Sequence, residues 1–227
     1  ANPGTGTNPA ASHLDLSGGT FNATLDELVI GQYPGTGGGS GKGILTMDAG
    51  TVTANSVLIG NSNGSDDSDT VGTLNQNGGT VTIADSLTVG QSGAIGNYNI
   101  DGGTLNSNGD TVVGLNGSGG TMTATGGNVN IGNGDGNFDI GSRTTGTDNT
   151  TGLADLAGAD SLVIDVTELR IGRTDQTPAT GAGTVQGTLI LPDDSTITAD
   201  AVTAGFVAGG SVNPTIGTIN LGGGTTD

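Results

Sequence analysis

The 227-residue chain contains no cysteine and no tryptophan, so disulfides and thiolate metal sites cannot hold it together. Aromatic residues make up only 2% of it. An ordinary globular core of large apolar side chains cannot be assembled from this composition. A narrow core, one or two small apolar residues wide and repeated along an axis, can. Positive charge is equally scarce. Lys42, Arg143, Arg170 and Arg173 stand against 22 acidic residues, for a formal net charge of −18. Nucleic acid is excluded as a partner, because phosphate binding needs a basic footprint, and an anionic membrane surface is disfavoured for the same reason. No apolar run approaches the ~20 residues that span a bilayer, so no membrane insertion is expected. The chain opens on Ala1-Asn2-Pro3 with no signal-like stretch. It reads as a mature, processed product or as a portion of something longer.

What is abundant is glycine, with 47 residues, and its placement is periodic. Gly-Gly-Thr occurs at Gly18-Gly19-Thr20, Gly78-Gly79-Thr80 and Gly102-Gly103-Thr104, with degenerate copies at Ala49-Gly50-Thr51, Gly126-Gly127-Asn128 and Ala157-Gly158-Ala159. A short apolar segment ending in Gly follows each, for example Leu58-Ile59-Gly60, Leu87-Thr88-Val89-Gly90 and Leu169-Arg170-Ile171-Gly172. An alternating segment precedes each, for example Thr73-Leu74-Asn75, Tyr98-Asn99-Ile100 and Thr121-Met122-Thr123. Each repeat thus holds three short strands broken by Gly, Asn and Asp turns. No stretch sustains the i, i+3, i+4, i+7 apolar pattern of a helix, and each interior Gly costs a helix about 1 kcal/mol.

The expected fold is all-β, a right-handed parallel β-helix (β-solenoid) of about seven three-stranded coils of 24–33 residues. Residues 1–13 read as a flexible N-terminal arm, 14–221 as the solenoid, and 222–227 as a tail starting an incomplete coil. Period-two alternation points Phe21, Val52, Val81, Leu105 and Val129 inward. It points Thr20, Thr51, Thr80, Thr104 and Asn128 outward, with Asn22, Thr53, Thr82, Asn106 and Asn130 as a second outward column. Stacked about 4.8 Å apart, these columns form side-chain hydrogen-bond ladders. The Gly-Gly pairs serve corners that need positive φ. Extra residues gather after the apolar-segment Gly, at 32–43, 61–72, 142–152, 173–183 and 206–217, so insertions project as a fringe from one corner.

Thr73 to Val81, read as Thr-Leu-x-x-x-Gly-Gly-Thr-Val, with Ser86-Leu87-x-Val89-Gly90, resembles the autotransporter-associated β-strand repeats, which also occur in bacterial extracellular and PEP-CTERM-type surface proteins. The resemblance covers about residues 14–221 and is best over 44–141. It implies export, an extracellular or cell-surface location, a β-helix passenger, and roles in adhesion, coats or fibres.

The function expected is structural. Subunits stack end to end as a head-to-tail homopolymer, an extracellular filament or surface coat, with the N-terminal arm adding a strand to a neighbour's unfinished coil. The alternative is an adhesin-type segment that binds glycan or a surface through the corner loops. The third class is a polysaccharide-active or ice-binding β-helix. No enzyme activity is expected. Carboxylate pairs drawn from Asp15, Asp101, Asp139 and Asp165 arise by chance in so acidic a chain, and aromatic sugar platforms are missing. The Thr columns resemble ice-binding arrays, but Asn interrupts them.

No cofactor is required. Two oxygen-rich loops are candidates for Ca²⁺, with Asp66, Asp67 and Asp69 in one and Asp135 and Asp139 in the other; the competing reading is a solvated polar turn. Asn22, Asn63, Asn116 and Asn149 begin Asn-x-Ser/Thr sequons, expected by chance in this composition. His13 reads as solvated. Arg170 and Arg173 read as surface ion pairs with Asp165 and Glu168.

Overall fold

The computed structural model describes residues 11–35, 39–62, 69–175, 183–208 and 214–222. Among these there is no helix, and the strands form one 15-stranded sheet in which the described strands pair in parallel. In chain order they are β1 (Ser12–Gln32), β2 (Lys42–Asn61), β3 (Val71–Gln76), β4 (Thr80–Gln91) and β5 (Ile95–Ile100). There follow β6 (Thr104–Ser107), β7 (Asp110–Leu115), β8 (Gly119–Ala124), β9 (Asn128–Gly132) and β10 (Asn137–Arg143). The last are β11 (Thr150–Asp155), β12 (Ser161–Thr174), β13 (Val185–Leu191), β14 (Ser195–Val207) and β15 (Thr215–Leu221).

The pairing resolves into three ladders, as a β-solenoid requires. In the first, the N-terminal parts of β1 and β2 are followed by β3, β5, β8, β11, β13 and β15. In the second, the middle parts of β1 and β2 precede the start of β4, then β6, β9 and the starts of β12 and β14. The third joins the ends of β1, β2 and β4 to β7, β10 and the ends of β12 and β14. The offset between paired residues runs from 24 (Thr80↔Thr104) to 35 (Thr150↔Val185), slightly beyond the sequence expectation.

Val52, Val81, Leu105 and Val129 lie in register and are buried. Phe21 does not join them. It pairs with Gly50, while Ala23 aligns with Val52 and Asn22 with Thr51, after a register shift between Leu16 and Thr20. The corner explains the slip. In the later pairs the second glycine takes positive φ, as at Gly79 (φ 73), whereas in the first repeat Gly18 does so (φ 81). That corner turns early, and two extra residues enter the strand. The strands also differ from the expected short segments. β1, β2, β4, β12 and β14 run unbroken from the second ladder into the third. No glycine lies between the two at Ala54-Asn55-Ser56; the backbone bends there in step with β1, while against β4 the register shifts by one residue between Ala54 and Ser56.

The core is a set of stacked columns. Ile30, Ile59, Val89, Val113, Ile140 and Ile171 follow one another in the third ladder, and all are buried. Leu45, Leu74, Tyr98, Met122, Ala154 and Leu189 do the same in the first. Fully burying a Val, Leu or Ile side chain contributes about 1.5–3 kcal/mol. Repetition of small increments therefore substitutes for the missing aromatics.

One corner is closed by glycine on both sides. Gly43, Gly72, Gly96, Gly120, Gly152, Gly187 and Gly217 occupy equivalent positions in the first ladder. They abut the glycines that end the third-ladder strands. A methyl group on Gly96 would stand 2.2 Å from the Gly90 amide nitrogen and 2.3 Å from the Ile59 carbonyl oxygen. The backbones touch there with no room for any side chain, and the long connections leave from this pinch.

Candidate functional site

The ends of the stack are the least satisfied surfaces. Inward columns that are buried along the stack come into the open where no further rung covers them. At one end Leu14, in register with buried Leu45, is 55% exposed. Leu16, Phe21, Leu25 and Leu28 beside it are only half-buried. A groove lined by His13, Leu14, Leu28, Ile30, Lys42 and Leu45 opens on this face. At the other end Val202, in register with buried Leu169, is 52% exposed. Ile197 is exposed although its partner Ile164 is buried, and Leu221 reaches 57%. Such edges carry unpaired backbone groups and apolar rungs together, which makes them templates for a further strand. Phe206 also lies at this end, with the Arg173 guanidinium 5.7 Å above its ring.

Along the sides, the polar columns are bonded from rung to rung. Asn99 Nδ2 donates to Asn75 Oδ1 (2.8 Å) and Asn130 Nδ2 to Asn106 Oδ1 (2.9 Å). Asn55 donates to Asp26 (2.8 Å), Asn77 to Asp48 (2.7 Å) and Thr125 to Asp101 (2.6 Å). The Thr51–Thr80–Thr104 column is in register as expected and gives way to Asn128. His13 is exposed, with its Nε2 3.2 Å from Thr46 Oγ1.

Of the candidate Ca²⁺ ligands, Asp69, Asp135 and Asp139 fall among the described residues. Asp66 and Asp67 lie outside the described residues. Asp69 precedes β3, and Asp135 is exposed in the turn between β9 and β10. Asp139 directs both carboxylate oxygens to the Nε and Nη2 of Arg170. Among the described residues no group of three or more His, Asp or Glu side chains is placed to hold a metal.

Arg170 also reaches Glu168 (3.1 Å), and Arg173 pairs with Asp175 (2.8 Å) and Glu168 (3.6 Å). The expected partner Asp165 has no part in these pairs. The Arg170–Asp139 contact is well shielded rather than superficial, with side chains 16% and 10% exposed. Burial pushes the Asp139 carboxyl above its ordinary value against the pull of Arg170. Burial would lower the Arg170 pKa, but Asp139 and Glu168 hold it above its ordinary value. Of the other acids considered for chemistry, exposed Asp15 is held below the usual range by its hydrogen bonds from Ser17, and Asp101 accepts from Thr125.

Sequence reasoning missed three polar features. Tyr98 is fully buried, and its hydroxyl donates to Gln76 Oε1 (2.6 Å), while Gln76 Nε2 donates to the Thr104 carbonyl (3.0 Å). Burial pushes the Tyr98 phenol far up and keeps it protonated. Ser107 and Thr111 face each other inside the core at 2.8 Å. Three sequon asparagines act as locks between rungs: Asn22 Oδ1 accepts from the Thr51 amide, Asn116 Oδ1 from Thr144 and Thr145, and Asn149 Oδ1 from Thr184. The dipeptide Asn116-Gly117, with φ of 55° and 80°, is the one sequence signal that could have revealed such a lock. Asn63 lies outside the described residues.

No family model, no curated protein and no solved structure matches this chain.

Proposed function

We propose that this chain is a structural subunit of an extracellular filament or surface coat, built by end-to-end stacking of right-handed β-helical coils. The reading takes the three ladders as seven coils, with β15 opening an eighth. The observation that carries it is the pair of apolar end faces, on which columns buried along the stack stand open at Leu14, Ile197, Val202 and Leu221. Burying them against a second copy continues both the hydrogen-bond ladder and the core, a heterologous contact that does not close on itself. Ser12 shapes the junction. It occupies the position that is glycine in the later rungs. A neighbour therefore keeps its backbone off Ser12 and does not reproduce the pinch found at Gly96. Export is supported by the likeness of residues 73–90 to bacterial surface repeats and by the absence of cysteine.

A second reading is favoured by a different observation. The long connections all leave from the glycine-pinched corner, between the third and first ladders. A fringe on one edge suits an adhesin that binds glycan or a surface. Negative-stain microscopy of the purified chain separates the two. The filament reading expects fibres with an axial repeat of about 34 Å plus any junction, from seven rungs at ~4.8 Å. Strictly monodisperse monomers at high concentration would remove it and leave the adhesin.

A further inference from the structure

The two end faces of the stack are stepped rather than flat. Among the described residues the first ladder holds eight strands, from β1 to β15. The second and third hold seven each, from β1 to β14. A coil wound from one chain ends in a ramp with a step of one rung. At the β1 end the step lies between the third ladder and the first, because β1 enters on the first. At the other end it lies between the first and the second, because β15 stands one rung beyond β14. Setting first ladder on first places β1 of one copy on β15 of the next, but leaves one rung empty in the second and third ladders. The inward positions of those ladders are taken by residues such as Val52, Ile59, Val81 and Val89. Residues 1–11 and 222–227 contain no Val, Leu, Ile, Met or aromatic residue with which to fill them.

Turning the second copy by one side closes the gap. Its first ladder then lies on its neighbour's second, its second on the third, and its third on β15. Both steps coincide, and all three ladders continue with no rung missing. Ser12 fits this arrangement. In its own column the seven later rungs carry glycine, because third-ladder backbone stands 2.0–2.6 Å from where a methyl group would be. Set on Gly217, Ser12 would face that wall. The column at the start of the second ladder has room for side chains: Val52, Val81, Leu105, Val129, Leu162 and, last, Ser195. Ser12 begins β1 as Ser195 begins β14. The apolar edges follow. Leu14 and Leu16 come onto Ile197 and Ala199, and Leu28 and Ile30 onto Ile219 and Leu221, so that Leu14 (55% exposed) and Leu221 (57%) are both covered. The exposed Asp193-Asp194 segment leading into β14 comes under the groove that holds His13 and Lys42, which sets acid against base.

We propose that copies of this chain join with one turned by a side of the three-sided coil, β1 of one copy taking the place of the second-ladder strand that would follow β15 of the other. The proposal rests on the filament reading and specifies its junction. Each copy then adds about 35 Å, at ~4.8 Å per rung. The glycine-pinched corner and its long connections move to a new edge of the filament at each junction and return after three copies, roughly 105 Å along at that spacing.

The test uses the full chain, which has no native cysteine, in two double variants. His13, Thr196 and Thr218 are exposed, on β1, β14 and β15. Residue 13 lies at the opposite end of the stack from the other two, so a disulfide forms only between copies. His13→Cys/Thr196→Cys fibres, mildly oxidised, should give covalent dimers, trimers and longer chains on a non-reducing denaturing gel. His13→Cys/Thr218→Cys fibres should give monomers. The opposite pattern overturns the turned junction and leaves the filament standing, as does cross-linking of both pairs or of neither. Parent fibres need no variant. In averaged electron micrographs, long connections that return to one edge at every third copy support the turn, and connections that keep to one edge from copy to copy refute it. A parent chain that forms no fibres overturns the filament and its junction together.

Discussion

Replacing Gly96 with alanine tests the pinched corner. Gly96 has no positive φ to satisfy, so alanine carries no backbone penalty of its own, and the whole effect is steric. The added methyl would lie 2.2 Å from the Gly90 nitrogen, 2.3 Å from the Ile59 oxygen and 2.8 Å from the Val89 carbonyl carbon. Comfortable separations are about 3.5–4.0 Å, so the two backbones must part by about 1 Å. All three obstructing atoms are backbone, and no rotamer change relieves the clash. β5 is hydrogen-bonded to β3 on one side and β8 on the other. Opening the corner therefore strains two or three ladder bonds at about 1 kcal/mol each and adds an overpacking cost of about 1–3 kcal/mol. The expected loss is about 3–6 kcal/mol. Gly19→Ala is the control, since nothing lies within 4 Å of a methyl group there and its φ is not positive. It should be neutral, or stabilising by up to about 1 kcal/mol through the unfolded state. Guanidinium titration of the three proteins, with midpoint and slope both fitted, gives the comparison. The slope matters because a repeat stack can come apart at one coil. A Gly96→Ala protein within about 0.5 kcal/mol of the parent would refute the close backbone contact.

Further outcomes follow from the buried polar groups. Tyr98→Phe leaves Gln76 Oε1 without its donor inside the core and should cost about 1–3 kcal/mol in the same titration; pairing it with Gln76→Leu should recover most of that. Arg170→Met strands a shielded carboxylate and should cost about 3 kcal/mol at pH 7. Asp139→Asn should cost under about 1 kcal/mol, because burial already disfavours the charged carboxyl and Glu168 still engages Arg170. The pH dependence has a definite sign. Burial holds the folded Asp139 pKa above the ordinary carboxylate value, so the stability linked to its protonation is fully present below about pH 4 and fades as pH rises through the folded value. The Arg170→Met defect should therefore shrink on acidification, and a defect that grows from pH 7 to pH 4 would contradict the assignment.

The fold was legible where the sequence repeats with little variation. Between Gly79 and Gly127 the 24-residue spacing places Val81, Leu105 and Val129 on one another, and the pairing follows that spacing. Alternation alone sets Phe21 in the inward column because Gly18 and Gly19 look interchangeable in sequence. Which of them takes positive φ decides whether two residues enter the strand. The glycine pinch was half visible. Gly90 reads as a strand terminator, but nothing in the sequence says that Gly96 meets it across the corner. The polar interior was hidden for another reason. Gln76 and Ser107 sit at inward positions that alternation assigns to apolar residues, and only their contacts with Tyr98 and Thr111 make them tolerable. The acids of the proposed Ca²⁺ loops looked alike in sequence. The arginine one rung away that engages Asp139 is 31 residues distant in the chain.

The account rests on residues one repeat apart lying side by side in parallel register. A chain with no native cysteine allows this to be read by oxidation. Thr82 pairs with Asn106, and Asn106 with Asn130. A disulfide needs Cα atoms about 4.4–6.8 Å apart; adjacent rungs lie at ~4.8 Å and alternate rungs at roughly twice that. The Thr82→Cys/Asn106→Cys protein should cross-link within the monomer under mild oxidation, and Thr82→Cys/Asn130→Cys should not. The reverse pattern would contradict the stacked register on which everything else depends.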